Sequence, residues 1–175
     1  MNEVLKAIKE RRSIRKFKPE MPSKEALEQI IEAGLYAPNG KGSQAAIVVA
    51  VTNKEVRDKL MKINGEIMGK PEGFDPFYGA PAILIVLARK SHFTGLYDGS
   101  LVMGNMMLAA HSLGLGSIWI HRAKPEFEMD EWKKFLADQG IEGEWEGIGH
   151  CAVGYIDGEV PAAADRKDGR VYWVE

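Results

Sequence analysis

The densest set of potentially reactive side chains lies near the start of the chain, in Arg11-Arg12-Ser13-Ile14-Arg15. This segment holds three guanidinium groups and a hydroxyl within five residues. A guanidinium suits phosphate because its planar fork donates two parallel hydrogen bonds. The segment therefore predicts an anion site, and the alternative is a basic surface turn, the more common structure for so short a motif.

A second candidate is the turn-rich segment 37–44, which reads Ala-Pro-Asn-Gly-Lys-Gly-Ser-Gln and precedes an apolar run. Glycines allow a backbone to approach a flat ligand closely. No Walker Lys-Ser/Thr pair follows these glycines, and no Gly-x-Gly-x-x-Gly motif opens a strand-helix unit. Nucleoside triphosphates and NAD bound in the Rossmann manner are therefore disfavoured.

Metal and hydrolase chemistry lacks its usual motifs in this sequence. The histidines form neither HExxH nor a short spacing with cysteine, and Gly-x-Ser-x-Gly is absent. Cys151 is the only cysteine and lies in an apolar run. We predict that it is an inert core residue, with a catalytic thiol as the second interpretation, and we predict no metal site.

The composition is that of an ordinary globular chain, with 175 residues, 45% hydrophobic and 27% charged. This length fits one domain, 1–175. No apolar run approaches the roughly 18 residues that span a bilayer, and no signal-peptide core is present, so we expect a cytoplasmic protein without membrane contact. Residues 1–20 hold seven Lys/Arg against three Glu, a net +4, but the whole chain carries −2. Without a nucleic-acid-binding motif, this basic start does not predict nucleic-acid binding.

Hydrophobic periodicity places these segments on helices and loops. It predicts a short amphipathic helix that ends near Arg11, and helices that begin after Ser23 and Asn53. A central helix rich in small residues follows Asp98, and an acidic surface helix covers 127–138. A long Gly/Pro loop at 68–81 follows the helix that begins after Asn53. We expect its aromatic residues either to line a pocket or to anchor the loop to the core.

Four apolar runs predict strands at 45–52, 82–88, 117–120 and 149–155, with the first expected to be central. Because helical segments separate them, we expect an α/β sandwich whose sheet is covered on both faces. The tail from Ile156 has no core pattern of its own.

The order of these segments resembles the nitroreductase family of FMN enzymes over nearly the whole chain. The family motif Arg-Arg/His-Ser-x-Arg/Lys is matched by 11–15, and the Ala-Pro and Gln of its next motif by Ala37, Pro38 and Gln44. Residues 113–120 match a further family segment. The resemblance implies an α+β fold, a three-layer α-β-α sandwich around a mostly antiparallel or mixed sheet.

The resemblance also implies a set of FMN-binding residues, with the chemistry carried by FMN and no catalytic side chain. These are Arg11, Arg12, Ser13, Arg15, Pro38, Asn39, Gly40, Gly42, Gln44, Trp119, Ile120, His121, Arg122 and Arg166. By resemblance, the phosphate is held by Arg11, Arg12 and Arg166, and Arg15 reaches the N1 and O2 side of the ring. Backbone near His121 faces flavin N5.

Several positions depart from the family pattern. Asn39 stands where the family usually has Ser, Gly42 where it has Asn, and Ala45-Ala46 where it has Pro-Trp. His121 and Arg122 replace the usual Gly or Glu, which implies either extra positive charge near the substrate or cofactor or a solvated strand end.

The resemblance implies an NADH- or NADPH-dependent oxidoreductase that reduces nitroaromatics, quinones or related small acceptors by a ping-pong hydride mechanism. It further implies a homodimer with FMN at the subunit interface, the loop 38–43 reaching the partner's flavin, and the tail 156–175 packing on the partner. Two alternatives remain open: a flavin storage or sensor protein without turnover, and a dehalogenating or flavin-consuming member of the family.

Overall fold

The computed structural model describes residues 1–175. The helices are α1 (Glu3–Glu10), α2 (Lys24–Leu35), α3 (Lys54–Ile67), α4 (Gly95–Ser112), α5 (Ala123–Phe127) and α6 (Asp130–Asp138). The strands are β1 (Ala46–Val51), β2 (Ala82–Arg89), β3 (Gly116–Ile120) and β4 (Trp145–Gly154). At least one helix separates each strand from the next, as the sequence predicts.

The four strands form one sheet in the order β1-β2-β4-β3, and every neighbouring pair is antiparallel. In the middle of this sheet, the side chains of β2 from Ala82 to Ala88 are at most 1% exposed. β1 is an edge strand, so the expectation that 45–52 form a central strand is wrong. A short apolar run identifies a strand but does not encode which strands it pairs with.

The helix boundaries follow the local capping signals. Ser23 Oγ accepts a hydrogen bond from Ala26 N at 3.2 Å, and Asn53 Oδ1 accepts one from Val56 N at 3.1 Å. Each bond satisfies a backbone N–H that the first helical turn leaves free. After α4, Gly114 takes a left-handed φ of 75°, which an L side chain rarely adopts.

Helices cover both faces of the sheet. α2 and α4 enclose one core, in which Met106 lies against Gly34 so closely that a Cβ at Gly34 would collide with it. α3, α5 and α6 enclose the other, around Leu60, Phe127 and Leu136. The predicted three-layer α-β-α sandwich is therefore confirmed.

The segment between α1 and α2 runs along the free edge of β3. Ser13 forms a parallel bridge with Ser117, and Ile14 N donates to Ser117 O at 3.1 Å. Farther along, Phe17 forms an antiparallel bridge with Ile156, just beyond β4. The arginine-rich segment is thereby fixed beside β3.

The predicted acidic surface helix at 127–138 corresponds to α6, which begins at Asp130 and ends at Asp138. α5 ends at Phe127 and α6 begins at Asp130, because Met129 between them has extended backbone angles. Glu126, which lies just before the predicted range, is fully buried. Its partners lie far away in sequence, so local periodicity carries no sign of its burial.

β4 begins at Trp145, four residues before the predicted start at 149. Two glycines interrupt the apolar pattern in this part of the strand. At Gly147 a Cβ would overlap the backbone of Ala123, so glycine allows α5 to approach β4 closely.

The tail beyond Asp157 forms no helix or strand, and its side chains are exposed. Near its end, Val171 is 70%, Tyr172 86%, Trp173 85% and Val174 100% exposed. These apolar side chains have no core to join within their own chain. None of the helices has the length and apolar character needed to cross a lipid bilayer.

Candidate functional site

Arg11 and Arg12 directly follow α1, where the chain turns to run along β3. The Arg11 guanidinium makes no hydrogen bond or ion pair within the chain, and its Nη1 is buried. It lies close enough to Cys151, in the core between the sheet and α4, to act on the thiol. Arg12 Nη1 donates to the carbonyls of Lys9 and Arg11, both at 2.7 Å, whereas its Nε is buried without a partner.

Trp119 lies on β3 opposite Cys151 of β4. Its indole covers Gly149, where any Cβ would overlap Nε1 and the neighbouring ring atoms. Nε1 is buried and has no acceptor, although a buried indole N–H usually finds one. Gly149 therefore sets the position of the indole, a role that sequence reasoning missed because it depends on the pairing of β3 with β4.

The end of β3 holds the next three predicted site residues. Ile120 is buried, His121 is exposed and Arg122 is half-buried. Arg122 Nε has no hydrogen-bond partner, and burial lowers the pKa of this guanidinium. The charged head is thus held in a partly dry environment without a counter-charge.

Seven buried side-chain atoms in the chain have no hydrogen-bond partner. Four are donors of predicted site residues: Arg11 Nη1, Arg12 Nε, Trp119 Nε1 and Arg122 Nε. The other three belong to Asn64, Glu126 and His150. Leaving a buried donor unpaired costs about 1–3 kcal/mol, so such groups need an explanation. Four of them on the predicted site indicate a ligand rich in acceptors.

The second predicted segment, 37–44, folds as a turn stabilised by its own side chains. Asn39 Oδ1 accepts from Gln44 N at 2.9 Å, and Asn39 Nδ2 donates to Ala37 O at 3.3 Å. Gln44 has a left-handed φ of 48°, while Pro38 and Gly42 are exposed. Within one chain, the Asn39 side chain therefore shapes the loop.

Asp98, a site residue that sequence reasoning did not single out, holds this loop to α4. Its Oδ1 accepts from Gly40 N at 3.0 Å and its Oδ2 accepts from Thr94 Oγ1 at 2.9 Å. His92 Nε2 lies 2.9 Å from Ser43 Oγ and 3.5 Å from the same carboxylate. Because one ring nitrogen faces both partners, these residues do not form a Ser-His-Asp relay. Their role is to fix the loop.

The two predicted segments lie at opposite edges of the sheet. The loop 37–44 leads into β1, whereas 11–15 and 119–122 lie along β3. Three strand spacings separate β1 from β3, a distance of about 14 Å. A single chain therefore does not bring the loop and the arginine-rich segment into one site.

The remaining two predicted residues are solvent-exposed. Arg15 points away from the core beside β3, and Arg166 lies in the tail. Neither forms a hydrogen bond or an ion pair within the chain. No hydrogen bond or ion pair within one chain therefore connects Arg166 with Arg11 or Arg12.

The aromatic residues of the loop 68–81 divide between core and surface. Phe77 is fully buried and meets the His150 ring edge-on at a centroid distance of 5.3 Å, so it anchors the loop. Phe74 is 36% exposed. Tyr78 is half-buried and packs against the core that α3, α5 and α6 enclose.

Cys151 fits the inert interpretation. It is fully buried, and burial raises its pKa to about 12, only partly opposed by the nearby Arg11. A thiol reacts as its thiolate, which burial suppresses. We expect no alkylation of the folded protein by iodoacetamide at pH 8 and complete alkylation in 8 M urea, as measured by intact-mass spectrometry. Alkylation of the folded protein within minutes would restore the catalytic-thiol interpretation.

No group of three or more His, Cys, Asp or Glu side chains is placed to hold a metal ion. The site thus consists of guanidinium groups, an indole N–H and backbone along an edge strand. These features define a protein that holds an anionic ligand rich in hydrogen-bond acceptors.

Comparison with known proteins identifies the family. The Nitroreductase family model matches residues 8–155, and this chain belongs to that family. The match includes the arginine-rich segment, the loop 37–44 and the whole of β3.

Two solved structures superpose on this chain over its full length. A nitroreductase with bound FMN from Bacteroides fragilis is 30% identical, covers 100% of both chains and superposes with a TM-score of 0.91. A nitroreductase with bound FMN from Desulfitobacterium hafniense is also 30% identical with full coverage, at a TM-score of 0.89.

Among curated relatives, the FMN reductase [NAD(P)H] of Bacillus subtilis is 31% identical over 162 residues, which span 78% of this chain and 62% of that protein. The chain spans about three fifths of the length of the curated relatives it matches first.

Proposed function

We propose that this chain binds FMN and acts as an NAD(P)H-dependent oxidoreductase. The observation that carries the proposal is the set of four buried donors without partners, on Arg11, Arg12, Trp119 and Arg122. A ligand with a phosphate at one end and a ring rich in carbonyl and imine acceptors at the other would satisfy them. The family and the FMN-bound structural relatives support FMN as that ligand.

The residues present fit this cofactor. Arg11 and Arg12 would hold the phosphate, because both offer unpaired guanidinium N–H groups beside the chain turn. Ser13, held against β3, would meet the pyrimidine edge. Arg15, whose charge is unpaired, would favour negative charge on the N1 and O2 side of the ring and so favour reduction.

When bound, FMN supplies the hydride and electron transfer, which explains why no nucleophile or acid–base pair is found in the site. The chain itself would bind and orient FMN and would partly exclude water from the site. We propose a ping-pong cycle in which NADH or NADPH and an acceptor occupy one open face in turn. Nitroaromatics and quinones are the proposed acceptors, and the relatives named nitroreductase support the nitroaromatic part of this proposal.

We further propose a homodimer of single-domain subunits, with the site at the interface. The two halves of the predicted site lie at opposite sheet edges, and a second copy would bring the loop of one subunit to β3 of the other. α1 buries none of its side chains within the chain, and its apolar Val4, Leu5 and Ile8 are 61%, 49% and 55% exposed. Tyr97 and Leu101 of α4 are also exposed, at 68% and 47%. These faces are suited to covering one another.

The first test is the absorption spectrum of the purified protein, before and after reconstitution with FMN. We expect flavin bands that bleach when NADH or NADPH is added without oxygen and return when a quinone is added. Bands that stay after both nucleotides would favour the storage or sensor alternative. Absence of FMN binding after reconstitution would overturn the proposal. Cytoplasmic location stays a prediction.

The tail gives a prediction for the dimer. Changing residues 171–174 to Ser and Gly should raise the dimer dissociation constant at least about tenfold, because burying one such side chain contributes about 1.5–3 kcal/mol. Sedimentation equilibrium of the wild-type and altered proteins measures this constant. Changing the polar tail residues 167–169 in the same way serves as the control. An equal dissociation constant in both altered proteins would show that the tail does not pack on the partner.

A further inference from the structure

We propose that His150 is a positioning residue for the flavin: it holds the carbonyl of the Ile120–His121 peptide and thereby fixes the direction in which the N–H of this peptide donates. Glu126 and Asn64 hold His150 in turn. This inference rests on the proposed FMN-binding function and adds a buried polar network to it.

The Ile120–His121 peptide lies at the end of β3, inside the proposed flavin site. Trp119 Nε1 on one side and Arg122 Nε on the other are buried without an acceptor. The His121 N–H also makes no hydrogen bond within the chain, and the pairing of β3 with β4 ends at Ile120. A ligand that accepts from Trp119 and Arg122 therefore lies beside a third unpaired donor between them.

His150 contacts the opposite side of this peptide. Its Nδ1 lies 3.3 Å from Ile120 O in hydrogen-bonding geometry. Because a carbonyl oxygen can only accept, Nδ1 carries the proton. The peptide is planar and trans, so its C=O and N–H point in opposite directions. A donor that fixes the carbonyl thus fixes the N–H, and by polarising the peptide it makes this N–H a stronger donor.

The His150 ring is itself held by three side chains. Glu126 Oε2 lies 2.7 Å from Nε2, and this is the one ion pair of the chain in which both side chains are fully buried. Two acceptor atoms at this distance would repel each other, so one of them carries a proton and the pair as a whole is uncharged. Asn64 Nδ2 donates to the same oxygen at 2.8 Å, and Phe77 meets the ring edge-on.

The contacts of this network show where its effect is exerted. Apart from Leu60 O, on the same helix as Asn64, the backbone atom that its side chains bind is Ile120 O. A buried ion pair is weak evidence of a stabilising role, because apolar residues of similar volume often stabilise a protein equally well. Its link to the end of β3 gives this network a second role, which apolar residues would not supply.

Two substitutions at His150 separate positioning from stability. The amide nitrogen of asparagine is as many bonds from the backbone as Nδ1, so His150→Asn can donate to Ile120 O but no longer meets Glu126. The amide nitrogen of glutamine corresponds to Nε2, so His150→Gln can donate to Glu126 but not to Ile120 O. Lys62→Gln is the surface control. For each protein we would measure the FMN dissociation constant, the apoprotein Tm and, by NMR, hydrogen exchange of the His121 N–H.

We expect FMN affinity and stability to change in opposite order. His150→Gln should bind FMN about 3- to 10-fold more weakly than wild type, the effect of one net hydrogen bond, whereas His150→Asn should stay within about twofold. His150→Asn should nevertheless have the lower Tm, because it leaves Glu126 buried without its ring partner. FMN should slow exchange of the His121 N–H in wild type and in His150→Asn but not in His150→Gln.

A second signature needs no substitution. A hydrogen bond from the His121 N–H to the ring makes the carbonyl of the same peptide a stronger acceptor. The proton resonance of His150 Nδ1–H in the wild type should therefore move downfield when FMN is added, although His150 lies in the core. An unmoved resonance would overturn the inference even if neither variant folds.

Three further results would overturn the inference while FMN binding stands. Equal FMN affinity in the two His150 variants would show that the contact with Ile120 O has no effect on the flavin. FMN affinity that follows Tm would assign His150 a purely structural role. Unchanged exchange of the His121 N–H on FMN binding to wild type would show that this peptide does not face the ring. Failure of wild type to bind FMN at all would instead overturn the proposed function.

Discussion

Replacing Glu126 by alanine should lower the free energy of unfolding by about 3–5 kcal/mol, the range found when one partner of a buried ion pair is removed. Glu126 and His150 are both fully buried between the sheet and α3, and Glu126 Oε2 lies 2.7 Å from His150 Nε2. Asn64 Nδ2 donates to the same oxygen at 2.8 Å. Without the carboxylate, Asn64 Nδ2 would lose an acceptor, and His150 would stay buried without the oxygen that lies 2.7 Å from its Nε2.

The loss of Glu126 should have a large effect because the network contains no other hydrogen-bond acceptor that could replace its carboxylate. Glu126 Oε1 and Asn64 Oδ1 accept no hydrogen bond, and His150 Nε2 forms no hydrogen bond although it lies 2.7 Å from Glu126 Oε2. The other ring nitrogen, Nδ1, lies 3.3 Å from Ile120 O, so the network also contacts the end of β3. Loss of Glu126 would therefore loosen the strand that carries the site.

Thermal and urea unfolding measure the effect. A loss of 3–5 kcal/mol corresponds to a fall in Tm of roughly 6–20 °C for a chain of this size. Glu131→Ala, on the exposed side of α6, is the matched control and should stay within about 0.5 kcal/mol of wild type. The double variant with His150→Ala should lose less than the sum of the two single variants, because the second change removes a group already without its partner. Additive losses, or a Glu126→Ala protein as stable as the control, would contradict the account.

This network also shows where sequence reasoning ends. Glu126 directly precedes the segment 127–138 that local pattern assigns to a surface helix, and its partners Asn64 and His150 lie 62 and 24 positions away in the sequence. Only the packing of α3 and α5 on β4 brings the three together. Burial of a charged residue is determined by such long-range pairing, whereas periodicity within one segment reports only on that segment.

Local signals did predict most elements. The caps at Ser23 and Asn53 and the left-handed Gly114 depend on chemistry within a few residues, so the sequence is enough to place them. The order of strands is not local, and for that reason β1 was wrongly expected at the centre. The early start of β4 was missed because Gly147 and Gly149 serve close approaches to Ala123 and Trp119, contacts that exist only in the folded chain.

The residues of the candidate site also fall into two groups: those that adjacent sequence positions reveal, and those that only the folded chain brings together. The arginine-rich segment was found because its residues are adjacent, and the fold then left donors of Arg11 and Arg12 unpaired. Asp98 was not recognised as a loop anchor, since the hydrogen bond to Gly40 spans 58 positions. The positions of the loop and β3 at opposite edges follow from the strand order, which no local sequence pattern encodes.

Arg11→Ala should raise the dissociation constant of FMN about 10- to 100-fold, because hydrogen bonds to a charged group contribute about 1.5–3 kcal/mol. The Arg11 guanidinium has no partner in the chain, so all of its donors remain for a ligand. Arg12→Ala should weaken FMN less, since Arg12 already gives Nη1 to two carbonyls. Arg166→Ala should also weaken retention if the tail supplies the third phosphate contact. Fluorescence titration of the apoprotein with FMN measures each constant, with Lys62→Ala as the control.

The sign of the stability change separates a binding role for Arg11 from a structural one. A cation held near the core without a partner contributes nothing favourable to folding, so the Arg11→Ala apoprotein should unfold at a Tm equal to or slightly above that of wild type. With FMN, wild type should gain stability as RT ln(1 + [FMN]/Kd), and the variant should gain about 1.4–2.7 kcal/mol less at the same saturating concentration. A variant apoprotein that is clearly less stable would indicate a structural arginine. Unchanged FMN affinity in both Arg11→Ala and Arg166→Ala would refute the phosphate site built on these two arginines and would leave only Arg12, whose Nε is also buried without a partner, beside Ser13.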